Sequence, residues 1–230
     1  MWSFDKLKEK LVAISRLEDD PQDGRKGNLT EAAILVPIVV RNGVPFVLVT
    51  VRSMNLSRHA GEISFPGGKR DPGDSSLIDT ALRETMEEIG LSKERISVLG
   101  CLPPYVTSAK FLVTPVVAKV VDFESFRAKL NPLEVSELLI VPLENFIEKE
   151  SHECRRMTFN GTDVFVDIFE FAQNGSVHVI WGLTAVISTD VASLLFDRSP
   201  EFEYQEWFSN YRAKKIHDSI VKNSIVKSRL

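Results

Sequence analysis

Apolar positions along this chain recur with two different periods. Residues 32–40 and 44–51 are near-continuous apolar runs rich in β-branched side chains, and they flank Arg41-Asn42-Gly43. An Asn-Gly between two such runs predicts a β-hairpin. A short strand is expected at 62–65, ended by Pro66-Gly67-Gly68. The period then changes. Over 77–89, Ile78, Leu82, Thr85, Met86 and Ile89 share one face at helical spacing. Asp74-Ser75-Ser76 can cap that helix, and Gly90 suits its C-terminal stop. Strands are expected at 96–102 and 112–121, a helix-to-strand transition at 135–141, and a second hairpin of 155–158 and 164–171 around Asn160-Gly161. An apolar-faced helix follows over 180–196, then a final helix over 201–222. At the start, Phe4, Leu7, Leu11 and Ile14 recur at helical spacing, and a polar, turn-rich linker covers 17–31. The chain thus divides into an N-terminal helix with its linker (1–29), a central domain (30–197) and a C-terminal helix and tail (198–230). Strands mixed with helices indicate an α/β (α+β) fold with one core.

Composition narrows the function classes. A net charge of −4 over 230 residues argues against broad nonspecific binding of nucleic acid or anionic membrane. No stretch approaches the roughly 20 apolar residues that span a bilayer, and the N-terminus lacks the apolar core of a secretory signal. Cys101 and Cys154 have no CxxC spacing, so no disulfide framework is expected and a reducing compartment fits. His59, His152, His178 and His217 have no metal-ligand spacing and read as structural or surface residues.

The chemistry gathers on the helix at 77–89. Its acidic run is Arg83-Glu84-Thr85-Met86-Glu87-Glu88. At about 100° per residue, Glu84 and Glu88 lie one turn apart on one face, with Glu87 on the adjoining strip. Such a cluster is expected opposite the apolar face. Like charges at this spacing repel, and a hard divalent cation with oxygen ligands relieves the repulsion, so Mg2+ or Mn2+ is the expected cofactor. Gly67 and Gly68 let the backbone pass close to the helix and to a bound phosphate. Arg83 can orient a glutamate or pair with a phosphate oxygen.

Together, Gly68 to Leu91 resembles the Nudix signature, Gly-x5-Glu-x7-Arg-Glu-U-x-Glu-Glu-x-Gly-U with U a bulky aliphatic. Three positions depart from it: Asp74 stands for the first Glu, the spacer to Arg83 is one residue longer, and Thr85 replaces an aliphatic residue. The resemblance implies an αβα sandwich with a mixed central sheet, and hydrolysis of a diphosphate. Its implied metal ligands are Glu84, Glu88 and Glu87. Its implied catalytic residues are Arg83 and a general base drawn from Glu87, Glu134 or Glu137.

Upstream, Thr50, Arg52, Ser53, Gly61 and Phe65-Pro66-Gly67-Gly68 are similar to the extra motif of the coenzyme A diphosphatase subfamily, with Arg58 offset by one. Similarity to that subfamily extends over about residues 30–197 and is closest to its peroxisomal members. It implies coenzyme A or its thioesters as substrate, with Arg52, Arg58, Gly67, Gly68 and Lys69 as substrate-binding residues. NADH or ADP-ribose as substrate, or a non-catalytic ligand sensor, are the competing readings. The final Ser228-Arg229-Leu230 is a variant of the Ser-Lys-Leu address, so a peroxisomal import receptor is an expected partner and the peroxisome the expected compartment.

Overall fold

The computed structural model describes residues 2–16, 29–107, 109–159 and 161–203. Two compact units are present; the first spans Phe4–Ile140 and the second begins at Val141. The expected linker at 17–28 and the C-terminal tripeptide lie outside the described residues, as does most of the expected final helix; residues 201–203 of that helix are not helical.

The first unit is built on β1 (Thr30–Arg41) and β2 (Val44–Arg52), the hairpin predicted from Asn42-Gly43. Both turn residues have positive φ, as a tight turn matched to strand twist requires. Further strands are β3 (Ile63–Ser64), β4 (Gly67–Lys69), β5 (Ile96–Cys101), β6 (Tyr105–Val106), β7 (Phe111–Val120) and β8 (Val135–Pro142). The sheet runs β3-β2-β1-β7-β5, with β4 on β1, β6 on β7 and β8 on β2. Its β1–β7 pair is parallel and the β1–β2, β1–β4 and β5–β7 pairs are antiparallel. It is therefore mixed, as expected.

Helices α1 (Phe4–Arg16) and α2 (Leu77–Ile89) lie on opposite faces of this sheet. On one face, Ala81 of α2 packs with Ala33, Leu35, Val116 and Ala118, and Ile89 with Val39, Leu48 and Val120. On the other, the Lys119 ammonium lies over the Phe4 ring, and Gly100 is so near Leu11 that a Cβ there would sit 2.8 Å from the leucine Cβ. Side chains alternate across a strand, so Lys119 points away from the Ala118 face. Helices on both faces make an α/β sandwich.

In the second unit, β9 (His152–Phe159), β10 (Thr162–Gln173) and β11 (Ser176–Trp181) form an antiparallel meander in the order β11-β10-β9. The expected second hairpin is thus present and longer than its apolar cores. Helix α3 (Gly182–Phe196) is buried almost all round, its polar residues Ser188, Thr189, Asp190 and Ser193 included. Ser188 and Thr189 satisfy their buried hydroxyls on the carbonyls of Thr184 and Ala185. No described helix is long and apolar enough to cross a membrane.

Four expectations are corrected. Residues 135–141 are strand throughout. Residues 176–181 are strand, so the helix expected from 180 begins at Gly182; the β-branched run Val177-His-Val-Ile pairs with β10 before the helix starts. Gly67 and Gly68 do not end a strand but form one, β4, paired with β1. Met86 is half exposed, because the buried arc of α2 centres on Ala81, Thr85 and Ile89. At about 100° per residue Met86 falls some 100° to one side of Thr85, whereas Glu88 falls only about 60° to the other.

Leu11 is fully buried, so α1 belongs to the core of the first unit. Leu11→Ala is expected to destabilise the protein by about 3 kcal/mol, the cost of a buried leucine truncation with incomplete collapse. Urea unfolding measures this; a loss below about 0.5 kcal/mol, the range of neutral surface changes, would show that α1 is not part of the core.

Candidate active site

Helix α2 is held at both ends by its own sequence. Ser76 accepts from the Asp79 N–H as N-cap, and Gly90, left-handed with φ 71°, donates its N–H to the Met86 carbonyl. These caps fix the rotation of a helix whose acidic strip borders the buried face rather than opposing it. Glu88 is only 4% exposed, Glu84 is half-buried, and Glu87 is 55% exposed.

Strand β4 forms the wall facing this strip. A Cβ on Gly68 would lie 2.5 Å from the Glu84 carboxylate, and one on Gly67 (φ 152°) would lie 2.4 Å from the Ala33 carbonyl oxygen. A side chain at Gly67 would strike the Ala33 and Ile34 backbone, whereas one at Gly68 would displace the Glu84 carboxylate from its place against the strand. The Gly67 N–H bonds to Glu88. Two buried polar atoms remain without a hydrogen-bond partner here: Glu88 Oε2 and Arg52 Nε.

Burial raises the Glu84 carboxyl above the usual range; Glu87 and Glu134 add to the rise, and Arg83 opposes it. Burial also pushes Glu88 up to about 8, with the negative charges of Glu84 and Glu134 adding to it and Arg52 and the Gly67 N–H opposing. The site thus joins Glu84 and Glu88 from α2, Arg52 from the end of β2, and Glu134 from the turn before β8. Glu134 is placed by two neighbours of the box: its carbonyl accepts from the Ser53 N–H at 2.8 Å, and its N–H bonds to Asn131, whose own N–H reaches the Glu88 carbonyl at 2.9 Å. Glu137 lies half-buried on β8 itself.

Arg83 is fully occupied by the protein. It donates to Asp74 through Nε at 2.9 Å and Nη2 at 3.0 Å, to Glu84 at 3.0 Å, to Glu87 at 3.3 Å and to the Lys69 carbonyl at 3.1 Å. Of its two expected roles, it fills that of orienting the glutamates. Asp74 accepts also from the Asp71 N–H and the Thr80 hydroxyl. Arg83 accordingly holds the Asp74 carboxyl well below the usual carboxylate range, and Asp74 in turn holds the guanidinium well above its ordinary value.

The departures from the signature have physical explanations. The shorter Asp74, in a loop one residue longer, still forms the two-pronged pair with Arg83. Thr85 is buried and spends its hydroxyl on the Ala81 carbonyl at 2.6 Å. The role of Asp74 was missed in the sequence. The signal available for it was an acid at the box's first-glutamate position. Glu134 was only one of several base candidates, since a turn 46 residues beyond Glu88 has no spacing rule to bring it there.

The remaining candidates are less engaged. Arg58 is exposed in the loop after β2, and Lys69 turns its ammonium over the Phe111 ring, 5.5 Å from the centroid. His152 is structural, bonded to Asp167 at 2.7 Å and stacked on Phe202, and His59 pairs with Glu62 at the surface. His217 lies outside the described residues.

Among the described residues, no three His, Cys, Asp or Glu side chains converge into a ready-made ion cage, and both Glu84 and Glu87 are turned to Arg83. The donor set nevertheless suits a hard divalent cation. It is all oxygen, it is strongly repulsive without a counter-charge, and it includes a buried, unpartnered Glu88 oxygen.

The architecture is a mixed sheet between helices, with a glycine strand laid against a glutamate-bearing helix. Residues 29–159 match the family model described as the NUDIX domain, and the chain belongs to that family as a Nudix hydrolase. The peroxisomal coenzyme A diphosphatase of Mus musculus is 39% identical over 173 residues, 74% of this chain and 72% of that one. The mitochondrial coenzyme A diphosphatase of Homo sapiens is 40% identical over 170 residues, 71% and 69% of the two chains. Among solved structures, an Ap4A hydrolase binary complex from C. elegans is similar at 26% identity and a TM-score of 0.43, covering 52% of this chain and 84% of that one.

The Glu88 carboxyl titrates near 8 in the metal-free fold and near 4.5 when unfolded. Between those values the native state holds a proton that the unfolded state has lost, so metal-free stability falls as pH rises from 4.5 to 8. Glu88→Gln removes this term. In chelator at pH 8 the variant should be more stable than the wild type, by on the order of 3 kcal/mol, with the difference shrinking toward pH 4.5. Chemical denaturation across that range measures it, and a gap independent of pH would contradict the burial argument.

Proposed function

We propose that the protein hydrolyses the diphosphate of coenzyme A, and of its thioesters, to 3′,5′-ADP and the corresponding 4′-phosphopantetheine. One observation carries this reading. The unpartnered Arg52 Nε, inside the segment that resembles the coenzyme A diphosphatase motif, shares its site with the unpartnered Glu88 oxygen of the Nudix helix. The likeness to coenzyme A diphosphatases supports the substrate.

Glu84 and Glu88, with Glu87 as a further direct or water-mediated ligand, would hold Mg2+ or Mn2+; the bound ion supplies neutralisation of the developing phosphate charge and a more acidic water. Arg52 offers its Nε–H to a diphosphate oxygen. Arg83 acts as a positioning residue, fixing Glu84 and Glu87 while Asp74 fixes it. Water adds to one phosphorus, the bridging P–O bond breaks, and the electron pair leaves with the other phosphate. The attacking water's proton passes to a carboxylate, and Glu134, whose charge acts on both Glu84 and Glu88, is the best placed of Glu87, Glu134 and Glu137.

Turnover of coenzyme A, NADH and ADP-ribose is compared with Mg2+, Mn2+ or chelator, following product release by anion-exchange chromatography. Coenzyme A should be the preferred substrate and chelator should stop the reaction. Glu88→Gln should lower kcat by roughly 100-fold or more while the protein stays folded. Preference for NADH or ADP-ribose would transfer the function to another Nudix substrate, and no cleavage of any would favour a ligand sensor.

The compartment belongs to the same proposal. The tripeptide Ser228-Arg229-Leu230 favours peroxisomal import, while the relatives include peroxisomal, mitochondrial and chloroplastic proteins. A fluorescent protein fused to residues 223–230 should enter peroxisomes and stay cytosolic once Leu230 is removed; import unaffected by that deletion would sink the assignment.

A further inference from the structure

Strand β4 presents two different surfaces. Gly68 faces α2, since a Cβ there would meet the Glu84 carboxylate. Side chains alternate along a strand, so Lys69 points to the opposite face of the sheet. There its ammonium lies over the Phe111 ring, 5.5 Å from the centroid. The Lys69 backbone is fixed beside the acidic strip, because its carbonyl accepts from Arg83 at 3.1 Å. One residue thus joins the two surfaces, with its main chain at the carboxylates and its side chain on Phe111.

Phe111 opens β7 on a well-bonded turn. Its N–H bonds to the Thr107 hydroxyl at 3.2 Å, and its carbonyl accepts from the Thr107 N–H at 2.9 Å. Lys110, with φ 63°, donates its N–H to the Thr107 carbonyl and accepts from the Thr30 N–H. The ring is half-buried, while Lys69 and Lys110 are exposed. The cations at this corner are unevenly engaged. Arg70 pairs with Glu31 at 2.9 Å, and Arg83 is filled by Asp74, Glu84 and Glu87. Lys69 has no carboxylate partner among the described residues, and neither has Lys110. A chain of net charge −4 therefore keeps two uncommitted ammonium groups beside one aromatic ring, one lying on it and the other at the preceding residue.

Coenzyme A carries negative charge in two places. Its diphosphate belongs at the carboxylates that suit a divalent cation. Its 3′-phosphate shares a ribose with adenine. A dianion repelled by Glu84 and Glu88 requires cations of its own, and the ribose keeps it within one side chain's reach of the diphosphate. Lys69, the residue after Gly68, meets that requirement. An exposed ammonium resting on an aromatic face is held weakly, so a phosphate readily takes it over. The ring it leaves is a stacking surface for a base.

We infer that Lys69 and Phe111 form the subsite for the adenosine 3′-phosphate: the Lys69 ammonium pairs with the 3′-phosphate, and Phe111 stacks the adenine. Lys69 thereby sets the discrimination between coenzyme A and its 3′-dephospho form, which differ in that phosphate alone. This rests on the coenzyme A reading above.

Binding is measured first without turnover, by calorimetric titration of 3′,5′-ADP and 5′-AMP in Mg2+, since neither contains a diphosphate to cleave. The wild type should bind 3′,5′-ADP roughly tenfold more tightly, as one charge-assisted contact at an exposed site allows. Lys69→Met should bring the two affinities together, and Lys69→Arg should keep them apart. Phe111→Leu should weaken both ligands alike. Both Lys69 variants should melt at the wild-type temperature, because the side chain is exposed. The ratio of kcat/KM for coenzyme A to that for 3′-dephospho-coenzyme A should follow the same pattern through KM. Equal affinity of the wild type for both nucleotides, a difference that survives Lys69→Met, or one lost in Arg58→Met instead, would overturn the subsite. Failure to cleave coenzyme A, with the nucleotide discrimination intact, would count against the coenzyme A reading alone.

Discussion

Burial of the Glu88 carboxylate beside Glu84 is the constraint on which this molecule is arranged. A charged group taken out of water costs several kcal/mol unless it is paired, and otherwise it takes up a proton. Burial pushes the Glu88 carboxyl up to about 8 and leaves one of its oxygens unpartnered. The fold tolerates it because the rest of α2 is well secured. Ser76 and Gly90 cap the helix, and Ala81, Thr85 and Ile89 seat it on the sheet. The repulsive strip is carried by a helix that does not depend on that strip for stability, and a counter-charge arriving there relieves repulsion already built in.

Two backbone devices hold the strip in register. The Gly68 backbone comes so close to Glu84 that a side chain there would displace the carboxylate. The Arg83–Asp74 pair ties the loop after β4 to the helix, and through the same guanidinium ties Glu84, Glu87 and the Lys69 carbonyl together. An aspartate replacing a glutamate is one methylene shorter, and a spacer one residue longer gives the loop freedom to bring it in. Two departures from the family pattern thereby compensate one another, and a residue with no evident role in sequence becomes the anchor of the arginine.

The elements legible in the sequence were those whose signal is local. The Asn42-Gly43 hairpin, α1, and α2 with both its caps follow from turn chemistry and period alone. Helical spacing likewise sets Glu84 and Glu88 one turn apart, although among the described residues no three carboxylates converge into an ion cage. What was not legible depends on tertiary pairing. Gly67 and Gly68 read as a strand ending, yet they are a strand because β1 offers them partners. The run at 176–181 read as the beginning of a helix, yet β10 pairs with it first. The acidic strip was expected to face solvent opposite the apolar face; a helical wheel gives relative angles but not which arc the sheet covers, and Glu88 falls inside that arc. Glu134 reaches the site through Ser53 and Asn131, contacts that no spacing rule contains.

This division between local and tertiary signals follows the division between chemistry and specificity. The groups that face a diphosphate come mostly from one helix and one glycine strand, so a short contiguous motif can encode them, and a family can share that motif while its members act on different substrates. Groups outside the motif come from turns that only the folded sheet brings together: 53–56 after β2 and 131–134 before β8, joined at Ser53. Those turns contribute little to the core, so their exposed residues are free to vary without loss of the fold. Glu88, the buried acid of the helix, is also the residue to whose carbonyl the second of those turns is tied, through the Asn131 N–H.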